Sequence, residues 1–248
     1  MTSMHRFFER LQAIRPVSRT YTPEQMAEIH RREHQEQLNA IHEHSIKAQI
    51  QASVGRSGIA KKHLKCSFEN YHTDCTAQRQ AWNAANAWLA NHQRDLEGGF
   101  VFAGTPGTGK NHLASAIANT LIADGGSVLV ITVSELMMRI RDTYNKHTAI
   151  TEAAMLKHLA SIDLLVLDEI GIQRDTNNER IVLNEIINAR SAAEKPTGIL
   201  TNLTSDELVK ALGERALERV MEGPAACWVT FNWVSYRKAK AQKAGRAA

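Results

Sequence analysis

Cysteine is scarce in this sequence, which has three in 248 residues and no CxxC pair. An odd number of isolated thiols is not the pattern of a disulfide-stapled secreted domain, and it favours reduced, unpaired cysteines. Cys66, His72 and Cys75 are near one another in the chain, but no fourth residue stands at a zinc-site spacing. The cysteine content therefore argues against both a disulfide framework and a structural zinc site.

Long apolar runs are also absent. No stretch approaches the roughly 18 consecutive apolar residues that a membrane-spanning helix needs. Residues 1–15 lack the apolar segment and the cleavage site of a signal peptide. Hydrophobic residues nevertheless make up 43% of the chain, which is enough to bury a sizeable core. We expect a cytoplasmic protein with no membrane partner, built as one ordinary domain with an appendage.

Acidic residues are slightly fewer than basic residues, and the excess of basic residues is unevenly distributed along the chain. The net charge of +4 is compatible with nucleic acid but equally with an ordinary solvated surface. Residues 1–65 hold eleven Lys and Arg against six Asp and Glu, and residues 236–248 hold five basic residues and no acid. The basic tail, residues 238–248, is more typical of a solubilising end than of a binding site.

The N-terminal part of the chain has too few apolar residues for an independent core. Met26 to Val54 contains no proline or glycine and reads as a helix with a sparse apolar stripe. We predict a small helical N-terminal domain, residues 1–54, that docks on the second domain or on another protein. Residues 55–65, which include two glycines, are predicted to form a linker.

From Cys66 onward, short apolar runs alternate with helical patterns. Such runs are typical of strands buried on both faces, which indicates a parallel sheet covered by helices. The sequence thus predicts an α/β domain over residues 66–237, with a five-stranded parallel sheet flanked by helices. The strand candidates are Phe100–Ala103, Val128–Val133, Leu164–Asp168, Gly198–Thr201 and Trp228–Trp233.

A GxxxxGK loop joins the first predicted strand to the helix that follows it. Glycines allow the backbone N–H groups to turn towards phosphates, the helix presents its positive end, and the lysine reaches the β and γ phosphates. We therefore predict an ATP site. Its predicted binding residues are Gly104, Thr105, Pro106, Gly107, Thr108, Gly109, Lys110, Asn111 and His112.

The residue after the lysine departs from the general pattern. Asn111 stands where a Ser or Thr hydroxyl normally ligates Mg²⁺, but its amide oxygen is also a neutral donor for a hard cation. The acid pair Asp168 and Glu169 ends an apolar strand. We predict that Asp168 and Asn111 hold Mg²⁺ and that Glu169 orients the attacking water as a base.

Three polar residues further along the chain are catalytic candidates. Asn202 ends the next predicted strand, where it is either a turn residue or the group that polarises the water or the γ-phosphate. Arg215 and Arg219 share one helix face at i and i+4. They are either solvated and paired with nearby glutamates or an arginine finger for a neighbouring subunit.

Six short segments form a pattern more specific than a phosphate loop alone. They are GTPGTGKNHLA from Gly104, LLVLDEIG from Leu164, KPTG from Lys195, LGER from Leu212, FNW from Phe231 and CSFENY from Cys66. Together they resemble the bacterial replicative helicase loaders of the DnaC type, over about residues 66–237.

The resemblance implies an AAA+ ATPase fold that self-associates and places a DnaB-type helicase on single-stranded DNA. It makes Asn202 the first sensor and Arg219 the finger, with Arg215 nearby, and it puts Arg237 near the second sensor. It also implies that the N-terminal region binds the helicase.

The family also binds single-stranded DNA, for which Arg141 and Tyr144 are the candidates. They lie three apart on a predicted helix, and a guanidinium for phosphate and a ring for a base are the required chemistry. An exposed Arg and Tyr without DNA contact is the alternative. Two other functions stay open: an IstB-type transposition-helper ATPase, and a non-hydrolysing, nucleotide-gated DNA-binding adaptor.

Overall fold

The computed structural model describes residues 21–54, 57–145, 150–171 and 177–236, and only the backbone for residues 52–54. The chain divides into two compact units, of which the first ends at Ser45 and the second begins at Ile46. Within the described ranges, no helix combines the length and apolarity that crossing a bilayer requires.

The elements follow one another in the order that the sequence predicts, with one or two helices between each strand and the next. A 3-10 turn at Lys61–His63 follows the first long helix. The helices are α1 Pro23–Val54, α2 Thr76–His92, α3 Lys110–Ala123, α4 Val133–Asp142, α5 Glu152–Ser161, α6 Asn177–Ala192, α7 Ser205–Leu212 and α8 Glu214–Val220. The strands are β1 Phe100–Gly104, β2 Val128–Thr132, β3 Leu164–Ile170, β4 Thr197–Thr201 and β5 Cys227–Phe231.

The part of α1 that belongs to the first unit, residues 23–45, presents apolar side chains to solvent. Met26 is 39% exposed, Leu38 47% and Ile41 67%. In the second unit, by contrast, Ile50 at the end of the same helix is 1% exposed and belongs to a hydrophobic core. The sparse stripe predicted from the sequence therefore contains both surface and core residues.

The five strands form one parallel sheet in the order β2-β3-β4-β1-β5. Alternate residues of β1 enter the two cores on opposite faces: Val101 and Ala103 on one, Phe100 and Phe102 on the other. Because both faces are covered by helices, the strands are mostly apolar, and the acid pair of β3 stands near its carboxyl end. The prediction of a five-stranded parallel sheet is confirmed.

The segment predicted as a linker belongs to the second unit and, where it is described, is hydrogen-bonded to it. The N–H of Val130 on the edge strand β2 donates to Ser57 O at 2.9 Å. Asn119 on α3 donates through its amide to His63 O at 3.2 Å and to Cys66 O at 2.8 Å. These bonds tie residues 57–66 to β2 and α3.

The amino ends of the strands are held by a buried arginine that the sequence did not single out. The Arg190 side chain is fully buried, and its guanidinium donates to Ile162 O at 2.9 Å, to Pro196 O at 2.6 Å and to Thr197 Oγ1 at 3.2 Å. Burial lowers the pKa of Arg190 to about 9, and the nearby Asp163 carboxylate opposes that shift. The cation thus joins α5, α6 and β4 at the edge opposite to the phosphate loop.

Candidate nucleotide-binding site

The phosphate loop leaves β1 at its carboxyl end and enters α3. Gly107 and Gly109 adopt positive φ angles of 79° and 101°, a region that residues with a Cβ rarely occupy. A Cβ on Gly104 would lie 2.1 Å from Phe231 O, so the loop also approaches β5 too closely for a side chain. Glycines are thus required at these turns, as the motif predicts.

Lys110 is almost fully buried at the first position of α3, with 6% exposure. Its ammonium donates to Gly104 O at 2.6 Å, to Thr105 O at 2.9 Å and to Asn202 Oδ1 at 2.8 Å. Two loop carbonyls therefore accept hydrogen bonds from the lysine ammonium, and the side-chain oxygen of Asn202 accepts a third. The candidate sensor and the candidate phosphate-binding lysine lie together.

Asp168 and Asn111 form a second pair at this edge of the sheet. Asn111 Nδ2 donates to the Asp168 carboxylate. Burial raises the pKa of Asp168, and the hydrogen bond from Asn111 opposes that rise. A carboxylate beside an amide oxygen is the ligand chemistry that Mg²⁺ prefers, so these residues fit the ion.

Glu169 directly follows Asp168 and is exposed. Its φ angle is 61°, in the left-handed region, and its N–H donates to Asp168 Oδ1 at 2.8 Å. A non-glycine residue in this region is uncommon and is found more often at functional sites. Glu169 lies at an irregularity in the pairing of β3 with β4, where the register shifts between Leu167 and Ile170.

The sheet topology explains why these residues meet. Since β1, β3 and β4 are parallel neighbours, their carboxyl ends lie at one edge. Gly104, Asp168 and Asn202 each stand at such an end, although they are far apart in sequence. This edge of the sheet therefore carries four groups around the phosphate loop: the Lys110 ammonium, the Asp168 carboxylate and the side-chain amides of Asn111 and Asn202.

Three residues that were not predicted as site residues lie over the loop. Trp233 Nε1 donates to Thr108 O at 3.0 Å, Tyr236 N donates to Gly107 O at 2.9 Å, and Tyr71 Oη lies 3.5 Å from Thr108 O. The FNW segment begins at the last residue of β5, so its position could have been inferred once β5 was placed beside β1.

The predicted binding residue His112 faces the segment before α2. Its Nε2 lies 3.1 Å from Ser67 O, and its ring meets Tyr71 edge-on at a centroid distance of 5.3 Å. Burial lowers the pKa of His112. Arg237, which was predicted to lie near the second sensor, is outside the described residues.

The two candidate finger arginines lie on α8. Arg219 Nη1 donates to Asn188 Oδ1, and Arg219 lines a cleft with Gly99 and Thr197 at the amino ends of β1 and β4. Arg215 is exposed in the first turn of α8. Arg219 therefore stands at the edge opposite to the phosphate loop of its own chain.

The candidate DNA residues lie at the end of α4. This helix ends at Asp142, two residues before Tyr144, which stands in the following turn and is 57% exposed. The N–H of Tyr144 donates to Arg141 O at 3.0 Å, and its hydroxyl donates to Glu152 Oε1 at 3.1 Å. Both candidates are exposed, but an acidic group lies beside the ring.

Comparison with known proteins agrees with this geometry. A family model described as IstB-like ATP binding protein matches residues 56–243. The chain belongs to this family. The predicted resemblance to the loaders of the DnaC type is confirmed as well, and the IstB-like family to which the chain belongs is one of ATP-binding proteins.

Relatives of this IstB-like chain carry the name replicative helicase loader DnaC. The protein from Escherichia coli K12 is 43% identical over 188 residues, which cover 76% of each chain. That from Buchnera aphidicola subsp. Schizaphis graminum is 36% identical over 241 residues, 96% of this chain and 97% of the relative.

Solved structures share the fold of this IstB-like protein. A crystal structure of the DnaC helicase loader matches with a TM-score of 0.60 at 24% identity, over 69% of this chain and 99% of that one. AMPPCP-bound DnaA from Aquifex aeolicus matches with a TM-score of 0.58 at 22% identity, over 75% and 56%. The prediction of an AAA+ P-loop fold is confirmed.

Proposed function

We propose that this protein is an ATP-dependent loader that binds a DnaB-type replicative helicase and places it on single-stranded DNA. The observation that carries the proposal is the alignment to a named helicase loader over 96% of the chain. That alignment extends beyond the nucleotide-binding domain into the first 54 residues, where helicase recognition is proposed to lie.

Hydrolysis of ATP is part of the proposal. Lys110 would bind the β and γ phosphates. Asn202, whose Oδ1 accepts a hydrogen bond from the Lys110 ammonium at 2.8 Å, would orient that lysine and the attacking water. Glu169 would accept the proton of that water. Phosphate release in the presence of single-stranded DNA distinguishes this loader from the non-hydrolysing adaptor.

We expect Asn111 to position Asp168 for Mg²⁺. When bound, the ion would neutralise phosphate charge at this edge. The Asn111→Ala variant removes the hydrogen bond to the carboxylate, so the Mg²⁺ concentration needed for half-maximal ATP binding should rise about 3- to 10-fold. Asn119→Ala, which removes an amide on the same helix that bonds residues 63–66, is the control. An unchanged Mg²⁺ dependence in Asn111→Ala contradicts this role.

Self-association through AAA+ surfaces would bring the two edges of neighbouring subunits together. Arg219 stands at the amino ends of the strands, whereas Lys110 stands at the carboxyl edge. A finger from Arg219, with Arg215 one turn earlier, can therefore act only on the nucleotide of a neighbouring subunit. Both arginines are exposed on α8.

DNA binding is proposed for Arg141 and Tyr144 at the end of α4. The guanidinium would contact a phosphate, and the exposed ring would stack on a base. Glu152 holds the Tyr144 hydroxyl and would repel a phosphate placed there, so the ring face is the part available to a base.

The helicase assignment is tested on the exposed stripe of α1. Replacing Ile41, which is 67% exposed, with glutamate should weaken capture of purified DnaB-type helicase at least about tenfold, because charge replaces an apolar contact at a desolvated interface. Ile181→Glu changes an equally apolar residue, 56% exposed on α6, and should leave capture intact. Biolayer interferometry on full-length proteins gives both affinities.

Failure of the wild-type protein to capture any replicative helicase overturns the loader assignment. Capture of a transposase in its place supports the IstB-type alternative. Equal losses in Ile41→Glu and Ile181→Glu would move the helicase surface away from α1.

A further inference from the structure

The outer side of the phosphate loop is covered by two segments that come from opposite ends of the nucleotide-binding domain. Residues 67–72 approach from before α2, and residues 231–236 approach from the end of β5. The rings of His72 and Tyr236 stack at a centroid distance of 5.0 Å and an interplanar angle of 17°, so the segments also contact each other. We call these two segments the clasp.

The clasp binds carbonyl oxygens at the tip of the loop. Trp233 donates its indole N–H to Thr108 O at 3.0 Å, and the backbone N–H of Tyr236 donates to Gly107 O at 2.9 Å. The base of the loop is held on the same side, since Thr105 N donates to Phe231 O at 3.0 Å. Three hydrogen bonds between the loop and residues 231–236 therefore hold the loop along its length.

Peptide planarity converts these bonds into an orientation of the amide groups. A trans peptide places its C=O and the N–H of the next residue on opposite sides. When Trp233 holds the Thr108 carbonyl on the clasp side, the N–H of Gly109 is directed to the other side. The bond to Gly107 O directs the N–H of Thr108 in the same way. These two amides belong to the part of the loop that cradles phosphate.

Tyr71 supports the same peptide from the other segment. A Cβ on Gly109 would lie 2.8 Å from Cε2 of the Tyr71 ring, so the ring is packed directly on this glycine. Burial raises the pKa of the Tyr71 hydroxyl, which keeps it protonated as a donor towards Thr108 O. The peptide between Thr108 and Gly109 is therefore held by an indole, a phenol and ring packing together.

We propose that Trp233 is a positioning residue for nucleotide binding: its indole N–H holds the Thr108 carbonyl and so presents the Gly109 amide to the phosphates. Tyr236 does the same for the Thr108 amide through its backbone N–H. The proposal rests on nucleotide binding by the phosphate loop. The proposal adds Trp233 and Tyr236, which follow β5, to the residues that determine phosphate affinity.

The test is Trp233→Phe in the full-length protein, which removes the indole N–H and keeps an aromatic ring. One lost hydrogen bond of about 0.5–1.5 kcal/mol should weaken ATP binding about 2- to 13-fold. Competition of pyrophosphate and of adenosine against a fluorescent ATP analogue measures the affinity for the phosphates and for the nucleoside separately. Inorganic pyrophosphate should lose affinity by the same factor, and adenosine should not.

Trp88→Phe is the matched control. Its indole N–H also donates to a backbone carbonyl, Gly98 O at 3.0 Å, but at the amino end of β1. The side chain is 1% exposed, so its loss should lower the melting temperature at least as much as Trp233→Phe does. ATP affinity should nevertheless stay at the wild-type value.

A second pair of variants tests the proposal without a core substitution. Tyr236 is 46% exposed. Tyr236→Pro removes the N–H that binds Gly107 O, and Tyr236→Ala keeps it. Pyrophosphate affinity should be lower in the proline variant than in the alanine variant.

Each outcome decides between the proposals. Wild-type ATP affinity in Trp233→Phe, an equal loss in Trp88→Phe, or equal losses for adenosine and pyrophosphate overturns the role of Trp233. Those results leave helicase capture and the loader assignment unaffected. A wild-type protein that binds no nucleotide overturns the proposed function itself.

Discussion

Replacing Lys110 with alanine is expected to weaken ATP binding by about 100-fold, because a hydrogen bond to a charged group contributes roughly 1.5–3 kcal/mol. The buried ammonium is already held by loop carbonyls and by Asn202, so it is oriented before the nucleotide arrives. Titration calorimetry with ATP and ADP measures the loss. Helicase capture should persist, because residues 23–45 belong to the other unit.

Lys195→Ala is the matched control for this variant. Lys195 donates to Asp163 at 2.8 Å, at the amino ends of the strands, and it makes no contact that the proposal assigns to ATP. Its removal should lower stability without a change in nucleotide affinity. ATP affinity that survives in Lys110→Ala would end the assignment of the phosphate loop.

Mixing variants tests whether the arginine finger acts between subunits. Arg219→Ala should bind ATP as the wild type does and hydrolyse it poorly. An equimolar mixture with Lys110→Ala should recover part of the hydrolysis, since one variant supplies the finger and the other an intact loop. A mixture that is no more active than the sum of its parts would place Arg219 outside catalysis.

Replacing Glu169 with glutamine should lower the hydrolysis rate about 10²- to 10⁴-fold and leave ATP affinity near the wild-type value. A positioned general base contributes about this factor, and the amide keeps the shape of the side chain while losing its basicity. Phosphate release with single-stranded DNA and helicase present measures the rate. Parallel titration calorimetry measures binding.

Glu194→Gln is a close control for this second variant. Glu194 also has a left-handed backbone, with φ 55° against 61° for Glu169, and it is likewise exposed. It lies in the turn before β4, at the opposite edge of the sheet. If both glutamine variants hydrolyse ATP alike, Glu169 is not the base.

Much of the nucleotide edge was predictable from contiguous residues. The apolar runs located all five strands, and Gly104 to Lys110 defined the loop because its chemistry depends on local spacing alone. The predicted fifth strand, however, extended to Trp233, whereas β5 ends at Phe231. An aromatic run resembles a strand, but here the indole leaves the ladder to bind Thr108 O.

Other differences also arise from contacts that spacing does not reveal. Tyr144 was expected on the same helix as Arg141, but α4 ends at Asp142 and the Tyr144 hydroxyl donates to Glu152. Residues 55–65 were predicted to form a linker because two glycines interrupt the helical pattern, whereas Val130 and Asn119 hold residues 57–65 on β2 and α3. Polar and glycine-rich composition does not show where backbone bonds are made.

The sequence by itself determined the fold class, the phosphate loop and the identity of the candidate acid and amide groups, because these depend on residue type and local periodicity. The tertiary structure decided which of them meet. Asn202 reaches Lys110 across 92 residues, and Trp233 reaches Thr108 across 125. Both contacts follow from the strand order, which places β4 and β5 on either side of β1 and so brings their carboxyl ends to one edge.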